Sequence, residues 1–216
     1  MKERVQVNTK IGLILLLVLF VMGGMFSINP APHLFTELGP FELAQTLFMI
    51  ASLLVWGRLA ISKKQQNAQD DGINYSIAAF FALLSFVVIG RETSFLKTYG
   101  AGKSLENGLL VFTVVLSLAV LGVLGVRWAR NLRRTWQEFR AFMSTPNFLW
   151  AIASLAFVML GDLFEKELLP IHSNLVWEET FELMGYLAIF TAALIPERTA
   201  DAPRAVEQDV AALQSS

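Results

Sequence analysis

Long apolar stretches follow one another along most of the chain, and short polar stretches separate them. Within each stretch the apolar residues cover every face of a helix instead of forming a stripe, which is typical of membrane-spanning helices. A span needs about 20 such residues to cross about 30 Å of hydrocarbon. The pattern therefore predicts six helices, at about residues 11–29, 41–61, 73–92, 107–127, 145–165 and 177–196.

The predicted fold class is all-α: a polytopic integral membrane protein whose six-helix transmembrane bundle covers residues 1–196. A polar cytoplasmic tail over 197–216 completes the chain. Prolines stand at several predicted helix ends, among them Pro30, Pro40 and Pro196. Proline is tolerated at the start of a helix, because the backbone N–H that it lacks has no partner there. It also cannot continue a helix.

The first apolar stretch has two interpretations. Lys2, Arg4 and Lys10 precede it and resemble the basic region of a signal peptide. Residues 27–30, at its exit, offer no clean pattern of small residues for cleavage. An uncleaved membrane anchor is therefore the favoured interpretation.

Lysine and arginine are divided unevenly between the two sides of the predicted bundle. Of the 17 basic residues, thirteen fall in the amino-terminal segment, the second and fourth loops and the tail. The other four are Arg91, Lys97, Lys103 and Lys166. The positive-inside rule then predicts that both termini are cytoplasmic. The short loops and compact size lead us to expect a bacterial inner (plasma) membrane.

The fourth loop, at residues 127–140, mixes five arginines with Trp128, Trp136 and Phe139. One interpretation is a helix lying on anionic lipid at the membrane surface. The other is that the arginines only orient the chain in the membrane, and that their long side chains reach to the lipid–water interface.

Composition and missing motifs exclude several classes. The chain is 55% hydrophobic and 16% charged, with a net charge of -1 and no cysteine. These values exclude a disordered chain, a disulfide scaffold, a thiolate metal site and a general nucleic-acid binder. No P-loop and no Gly-x-Ser-x-Gly elbow is present. Two histidines, both in predicted loops, exclude a bis-histidine haem within the membrane.

Carboxylates gather on the side opposite most of the basic residues. Ten of the 18 acids lie there, and length arithmetic places several inside helices. If the sixth helix ends at Pro196 and has about 20 residues, Glu178, Glu179 and Glu182 lie in its first turns. Same-face carboxylates repel when both are ionised, so they need a cation, an arginine or a shared proton.

Candidate site residues follow from depth and helix position. Asp162 lies near a helix carboxyl end, where the macrodipole disfavours an anion, and Glu182 is the deepest acid. Glu42 is a predicted partner of Glu182 in the site, although the helix dipole and capping alone explain acids at helix amino ends. Arg91 either snorkels or forms a forked salt bridge with Glu182 or Asp162. The predicted catalytic set is Glu182, Asp162, Glu42 and Arg91.

A divalent metal ion is a possible cofactor. The candidate ligands are Glu182, Glu179, Asp162 and His172, the last from the loop before the sixth helix. Carboxylate oxygens favour Mg²⁺, Ca²⁺ or Mn²⁺ over Zn²⁺. Otherwise no cofactor is expected.

Three functions remain open. The first is a carboxylate-rich polar pocket at the extracytoplasmic ends of predicted helices 2, 3, 5 and 6. It binds a cation or performs acid–base or metal-assisted chemistry on a lipid-linked substrate. The second is a non-catalytic membrane subunit or scaffold, whose acids form an ion-pair cluster or a surface for a membrane protein partner. The third is a small transporter, disfavoured because no carboxylate lies at mid-span. The expected partner is the lipid bilayer, with further copies of the chain as an open alternative; no nucleic-acid partner is expected.

Overall fold

The computed structural model describes residues 2–29, 34–35, 39–66, 73–93, 100, 102–168 and 173–196. Within these ranges the chain forms seven α-helices and no β-strand. The helices are α1 (Lys2–Ile28), α2 (Pro40–Gln66), α3 (Tyr75–Glu92), α4 (Lys103–Arg130), α5 (Leu132–Met143), α6 (Pro146–Glu165) and α7 (Asn174–Leu194). The all-α prediction is confirmed for the described part of the chain. The predicted tail at 197–216 lies outside it.

Five helices are long and apolar enough to cross a membrane, namely α1, α2, α3, α4 and α6. These helices indicate a membrane protein. The helix α7 has a similar length but differs in composition, because Glu178, Glu179 and Glu182 interrupt its apolar surface. The predicted count of six spans therefore depends on α7.

Side-chain caps explain where two of the helices begin. Asn74 precedes α3, and its Oδ1 accepts a hydrogen bond from the backbone N–H of Ile77 at 2.9 Å. Thr145 caps α6 in the same way, and Pro146 occupies the first helical position. Both arrangements use the free N–H groups of a first turn.

The helix α7 forms the centre of the packing. It contacts α6, α2 and α1, and twelve of its residues are buried. Gly185 allows α6 to approach closely, because a Cβ there would lie 2.7 Å from Val158 Cγ2 and 3.1 Å from the Ser154 carbonyl oxygen. Small residues of this kind permit close packing of membrane helices. The helix with the most acids is thus also the most enclosed.

Contacts between helix ends show that α7 runs antiparallel to α6 and α1. Asn147, at the start of α6, donates to the carbonyl oxygens of Ala192 and Ile195 at 2.7 and 3.0 Å. At the opposite end, Ser173 donates to the carbonyl oxygen of Ser27 at 3.2 Å. We call the end where α3 and α6 finish and α2 and α7 begin the acidic end. The opposite end, where α2 and α4 finish, is the basic end.

The segment after α4 contains the short helix α5. Its aromatic side chains differ in exposure. Phe142 is buried, whereas Trp136 and Phe139 are exposed. Of the two interpretations of the 127–140 segment, a helix is present over most of it. Contact with anionic lipid stays a prediction.

The observed helices extend past several predicted limits. The helix α1 begins at Lys2 instead of residue 11, and α2 continues to Gln66 instead of 61. Hydropathy marks the residues suited to hydrocarbon, whereas a helix continues for as long as its backbone hydrogen bonds do. A prediction from hydropathy therefore misses the polar turns at helix ends.

Candidate charged site at the acidic end

An ion pair joins α3 to α7 at the acidic end. Arg91 Nη2 lies 2.6 Å from Glu182 Oε1, within the range of a charge-assisted hydrogen bond. The Glu182 side chain is only 6% exposed, whereas that of Arg91 is 50% exposed. Of the two partners predicted for Arg91, the structure shows Glu182, joined through one guanidinium nitrogen instead of a fork. The buried member of the pair is the carboxylate.

The fold makes space for Glu182 beside a glycine of α6. Glu182 lies roughly two turns into α7, which begins at Asn174. A Cβ on Gly161 would stand 3.0 Å from Glu182 Cγ and 3.3 Å from the Glu178 carbonyl oxygen. A larger residue at 161 would therefore push against the carboxylate chain.

A second buried carboxylate follows Arg91 directly. Glu92, whose side chain is 8% exposed, accepts a hydrogen bond from the Tyr186 hydroxyl at 2.8 Å. Its Oε1 also lies 4.0 Å from Arg91 Nε. Tyr186 stands one turn after Glu182 on the same face of α7. Two adjacent side chains of α7 thus bind the last two residues of α3.

Gln45 of α2 forms the third side of the cluster. Its Nε2 donates to Glu179 Oε2 at 2.7 Å and to the Glu179 carbonyl oxygen at 3.1 Å. Gln45 is fully buried, and its Oε1 has no hydrogen-bond partner among the described residues. A buried amide oxygen in this state has unused capacity to accept a hydrogen bond.

Two predicted site residues lie at the margin. Asp162 is half exposed and pairs with Lys166, one turn further along α6. It lies within electrostatic reach of Arg91 without direct contact. Glu42, in the first turn of α2, interacts electrostatically with Glu92. Neither joins the Arg91–Glu182 pair directly.

The predicted metal ligands are only partly placed. Glu182, Glu179 and Asp162 lie at the acidic end, whereas His172 falls outside the described residues. In the part of the chain that is described, no group of three acidic or histidine side chains is arranged to hold a metal ion. A divalent metal therefore stays a prediction.

Arg91 faces more acids than it can neutralise. Glu92, Glu165 and Glu182 all lie at 4.0 Å or less from its guanidinium nitrogens. Glu178 and Glu179 also interact electrostatically with Glu182. Among the described residues linked to this pair, one arginine thus stands among five carboxyl groups. Such a cluster attracts a cation or holds protons.

An apolar groove leads away from this cluster. It lies between α3 and α6, encloses about 770 Å³, and has Arg91 and Tyr186 in its wall at the acidic end. Its other end, at Asn74 and Glu138, reaches the basic end. Between these limits its lining is almost entirely apolar, for example at Ile77, Phe80, Leu84, Val88, Ile152, Leu155 and Val158.

Sequence reasoning missed Tyr186, Glu92 and Gln45 as site residues. Tyr186 follows Glu182 by four residues, so helical spacing alone places the two on one face. Glu92 is adjacent to Arg91 and resembles an ordinary helix-end charge. Gln45 carries no charge, and only the packing of α2 against α7 brings it to Glu179.

Comparisons with protein-family models, curated proteins and solved structures gave no match for this chain.

Proposed function

We propose that the chain is a six-span integral membrane protein whose acidic end faces away from the cytoplasm and binds a cationic group. In this proposal α7 is the sixth span and occupies the centre of a transmembrane bundle. The ligand is a cation, or the cationic group of a lipid-linked substrate. The observation that carries the proposal is the excess of carboxylates around Arg91 and Glu182.

Burial of the charged groups supports a binding site over a solvated surface. The side chains of Glu182 and Glu92 are 6% and 8% exposed. Charged groups at such depth in a membrane helix normally face the bundle interior and mark a ligand path. The unused Gln45 Oε1 adds a neutral acceptor to the same cluster.

The groove between α3 and α6 supports an amphiphilic ligand. Its wall is apolar over most of its length and has Arg91, the partner of Glu182, at the acidic end. A ligand with its polar group at the cluster would place an apolar chain in the groove. Burial of that chain contributes about 0.8 kcal/mol per CH₂ group relative to water.

Acid–base chemistry on such a substrate would use the same residues. Glu182 is held in place by Arg91, and Tyr186 holds Glu92, so two carboxyl groups have fixed orientations. A positioned carboxyl group that exchanges a proton with a bound amine or hydroxyl is the usual requirement for general acid–base catalysis. A divalent ion bound among these carboxylates would instead polarise the substrate.

The test is ligand-dependent thermal unfolding of the full chain in an uncharged detergent. Mg²⁺, Mn²⁺ and a long-chain alkylamine below its micelle concentration are titrated separately, with an alkyl alcohol of the same length as a neutral control. The variants are Glu182→Gln and Glu179→Gln. Glu106→Gln is the matched control, because Glu106 is an acid at the same end in the first turn of α4.

We expect the amine or a divalent ion, but not the alcohol, to raise the unfolding temperature of the wild type and of Glu106→Gln. We expect the dissociation constant to rise by about tenfold or more in Glu182→Gln and Glu179→Gln, which corresponds to about 1.4 kcal/mol or more. Equal responses to amine and alcohol, together with no response to the ions, would contradict the proposal.

One observation favours a scaffold as the second candidate. Four of the acids have a partner: Glu182 with Arg91, Glu92 with Tyr186, Glu179 with Gln45, and Asp162 with Lys166. A cluster satisfied in this way also stabilises a bundle without a ligand. The titration above distinguishes the two candidates, because a scaffold responds to neither amine nor metal ion.

A further inference from the structure

A second cavity, which is polar, lies at the basic end, opposite the carboxylate cluster. It encloses about 740 Å³, and its walls come from the ends of α2 and α4 and the start of α3 and α5. Five basic side chains line it: Lys63, Lys64, Arg127, Arg130 and Arg134. Glu138 is the acidic residue in the same wall.

Aromatic contacts hold two of the cations over one ring. The Arg127 guanidinium lies 5.3 Å from the centre of the Tyr75 ring, and Lys64 Nζ lies 6.0 Å from it. Cations at this distance are attracted to the face of an aromatic ring. The contact brings the last turns of α2 and α4 together at the first residue of α3.

Glu138 is already engaged with other residues. Its Oε1 accepts from Arg134 Nε at 2.9 Å, and its Oε2 accepts from Asn74 Nδ2 at 2.6 Å. Asn74 is also the cap of α3, so this contact fixes α5 against the start of α3. Among the described residues that line the cavity, Glu138 therefore offsets one arginine, and Lys64, Arg127 and Arg130 add further positive charge.

We propose that this cavity binds a phosphate group. Arginine forks and lysine ammonium groups are the usual partners of phosphate oxygens. The chemistry fits the headgroup of an anionic phospholipid and also a free phosphate ion. The cavity shares Asn74, Thr135 and Glu138 with the apolar groove between α3 and α6. A phospholipid bound here therefore has an apolar surface beside its phosphate for an acyl chain.

Native mass spectrometry of the full chain in an uncharged detergent tests the lipid source. Phosphatidylglycerol is compared with phosphatidylcholine of the same chain length, because only the first carries a net negative charge. In a second experiment, inorganic phosphate is titrated and thermal unfolding of the protein is followed. Sodium chloride at equal ionic strength is the control. The test variant is Arg127→Gln combined with Arg130→Gln, and Arg130→Gln alone is used if the double variant does not fold.

The matched control is Arg133→Gln. Arg133 is exposed on α5 next to Arg134 but does not line the cavity. We expect wild type and Arg133→Gln to prefer phosphatidylglycerol, and the double variant to bind it about tenfold or more weakly. A response to inorganic phosphate, lost in the double variant without any lipid preference, assigns the site to a soluble phosphate. Equal lipid binding by all variants, with no response to phosphate, would overturn the proposal.

Discussion

At the level of single residues, the Arg91–Glu182 pair is asymmetric. Glu182, on α7, is buried against α6, whereas half of the Arg91 side chain is exposed. Loss of Arg91 would leave a buried carboxylate without its main partner. Loss of the Glu182 charge would leave an arginine that still has Glu165 and Glu92 at 4.0 Å. Substitution of Arg91 and substitution of Glu182 should therefore lower the free energy of unfolding by different amounts.

We expect Arg91→Ala to lower the free energy of unfolding by at least about 1–3 kcal/mol, the cost of a buried polar group left without its partner. Glu182→Gln should cost less, because the amide is neutral and can still accept from Arg91. Combining Arg91→Ala with Glu182→Gln should recover part of the loss. Thermal unfolding in detergent measures all three. Equal losses in the two single variants would contradict the asymmetry.

Tyr186 gives a second prediction at this scale. Tyr186→Phe removes the hydroxyl that donates to the buried Glu92 carboxylate, and little else. We expect a loss of about 1–3 kcal/mol in the free energy of unfolding. Tyr75→Phe is the control, since the Tyr75 hydroxyl makes no hydrogen bond within the described part of the structure and only its ring is used. Similar losses in both variants would show that the Tyr186–Glu92 bond is unimportant.

At the level of helices, hydropathy predicted where apolar helices occur but not how they pack. Each of the six predicted segments overlaps a helix of the structure. The sequence did not indicate that α7 is central, because three glutamates stand within its first three turns. Its position follows from Gly161 on α6 and from its own Gly185, whose contacts depend on which helices are neighbours. Hydropathy carries no information about neighbours.

Gly185→Ala tests the close contact between α6 and α7. The new Cβ would meet Val158 Cγ2 at 2.7 Å and a backbone oxygen at 3.1 Å, so one helix must shift. We expect a loss of about 1–3 kcal/mol, typical of overpacking. Gly122→Ala on α4 is the control: no described atom lies within 4 Å of its Cβ, and alanine favours a helix by about 1 kcal/mol. Stabilisation by both substitutions would contradict the proposed close packing.

At the level of the whole molecule, the charges separate into an acidic and a basic end. The separation was visible in the sequence, because it needs only the order of the helices and their charges. Apart from the pairing of Arg91 with Glu182, the partners within each end were not visible. Gln45 reaches Glu179 across 134 residues, and Asn74 reaches Glu138 across 64. Pairings at such separations depend on tertiary packing. Beforehand, the sequence offered only the opposite charges of Arg91 and Glu182 and the helical spacing of Glu182 and Tyr186.

Orientation in the membrane gives the last prediction. The chain has no cysteine, so an introduced thiol is the sole site for a maleimide. Ser144 lies at the basic end between α5 and α6, and Ser104 lies at the acidic end in the first turn of α4. The positive-inside rule predicts that the basic end is cytoplasmic, so a membrane-impermeant maleimide should label Ser104→Cys in intact bacterial cells. It should label Ser144→Cys only after the membrane is opened.

The alternative outcomes have different meanings, because α4 separates the two positions. Labelling of Ser144→Cys but not Ser104→Cys in intact cells would reverse the orientation and place the carboxylate cluster on the cytoplasmic side. The cationic ligand would then have to come from the cytoplasm, and the phosphate cavity would face the opposite leaflet. Labelling of both positions from one side would mean that α4 does not cross the membrane, although it is 28 residues long and apolar over most of its length. The six-span bundle would then be wrong at the element where hydropathy supports it most strongly.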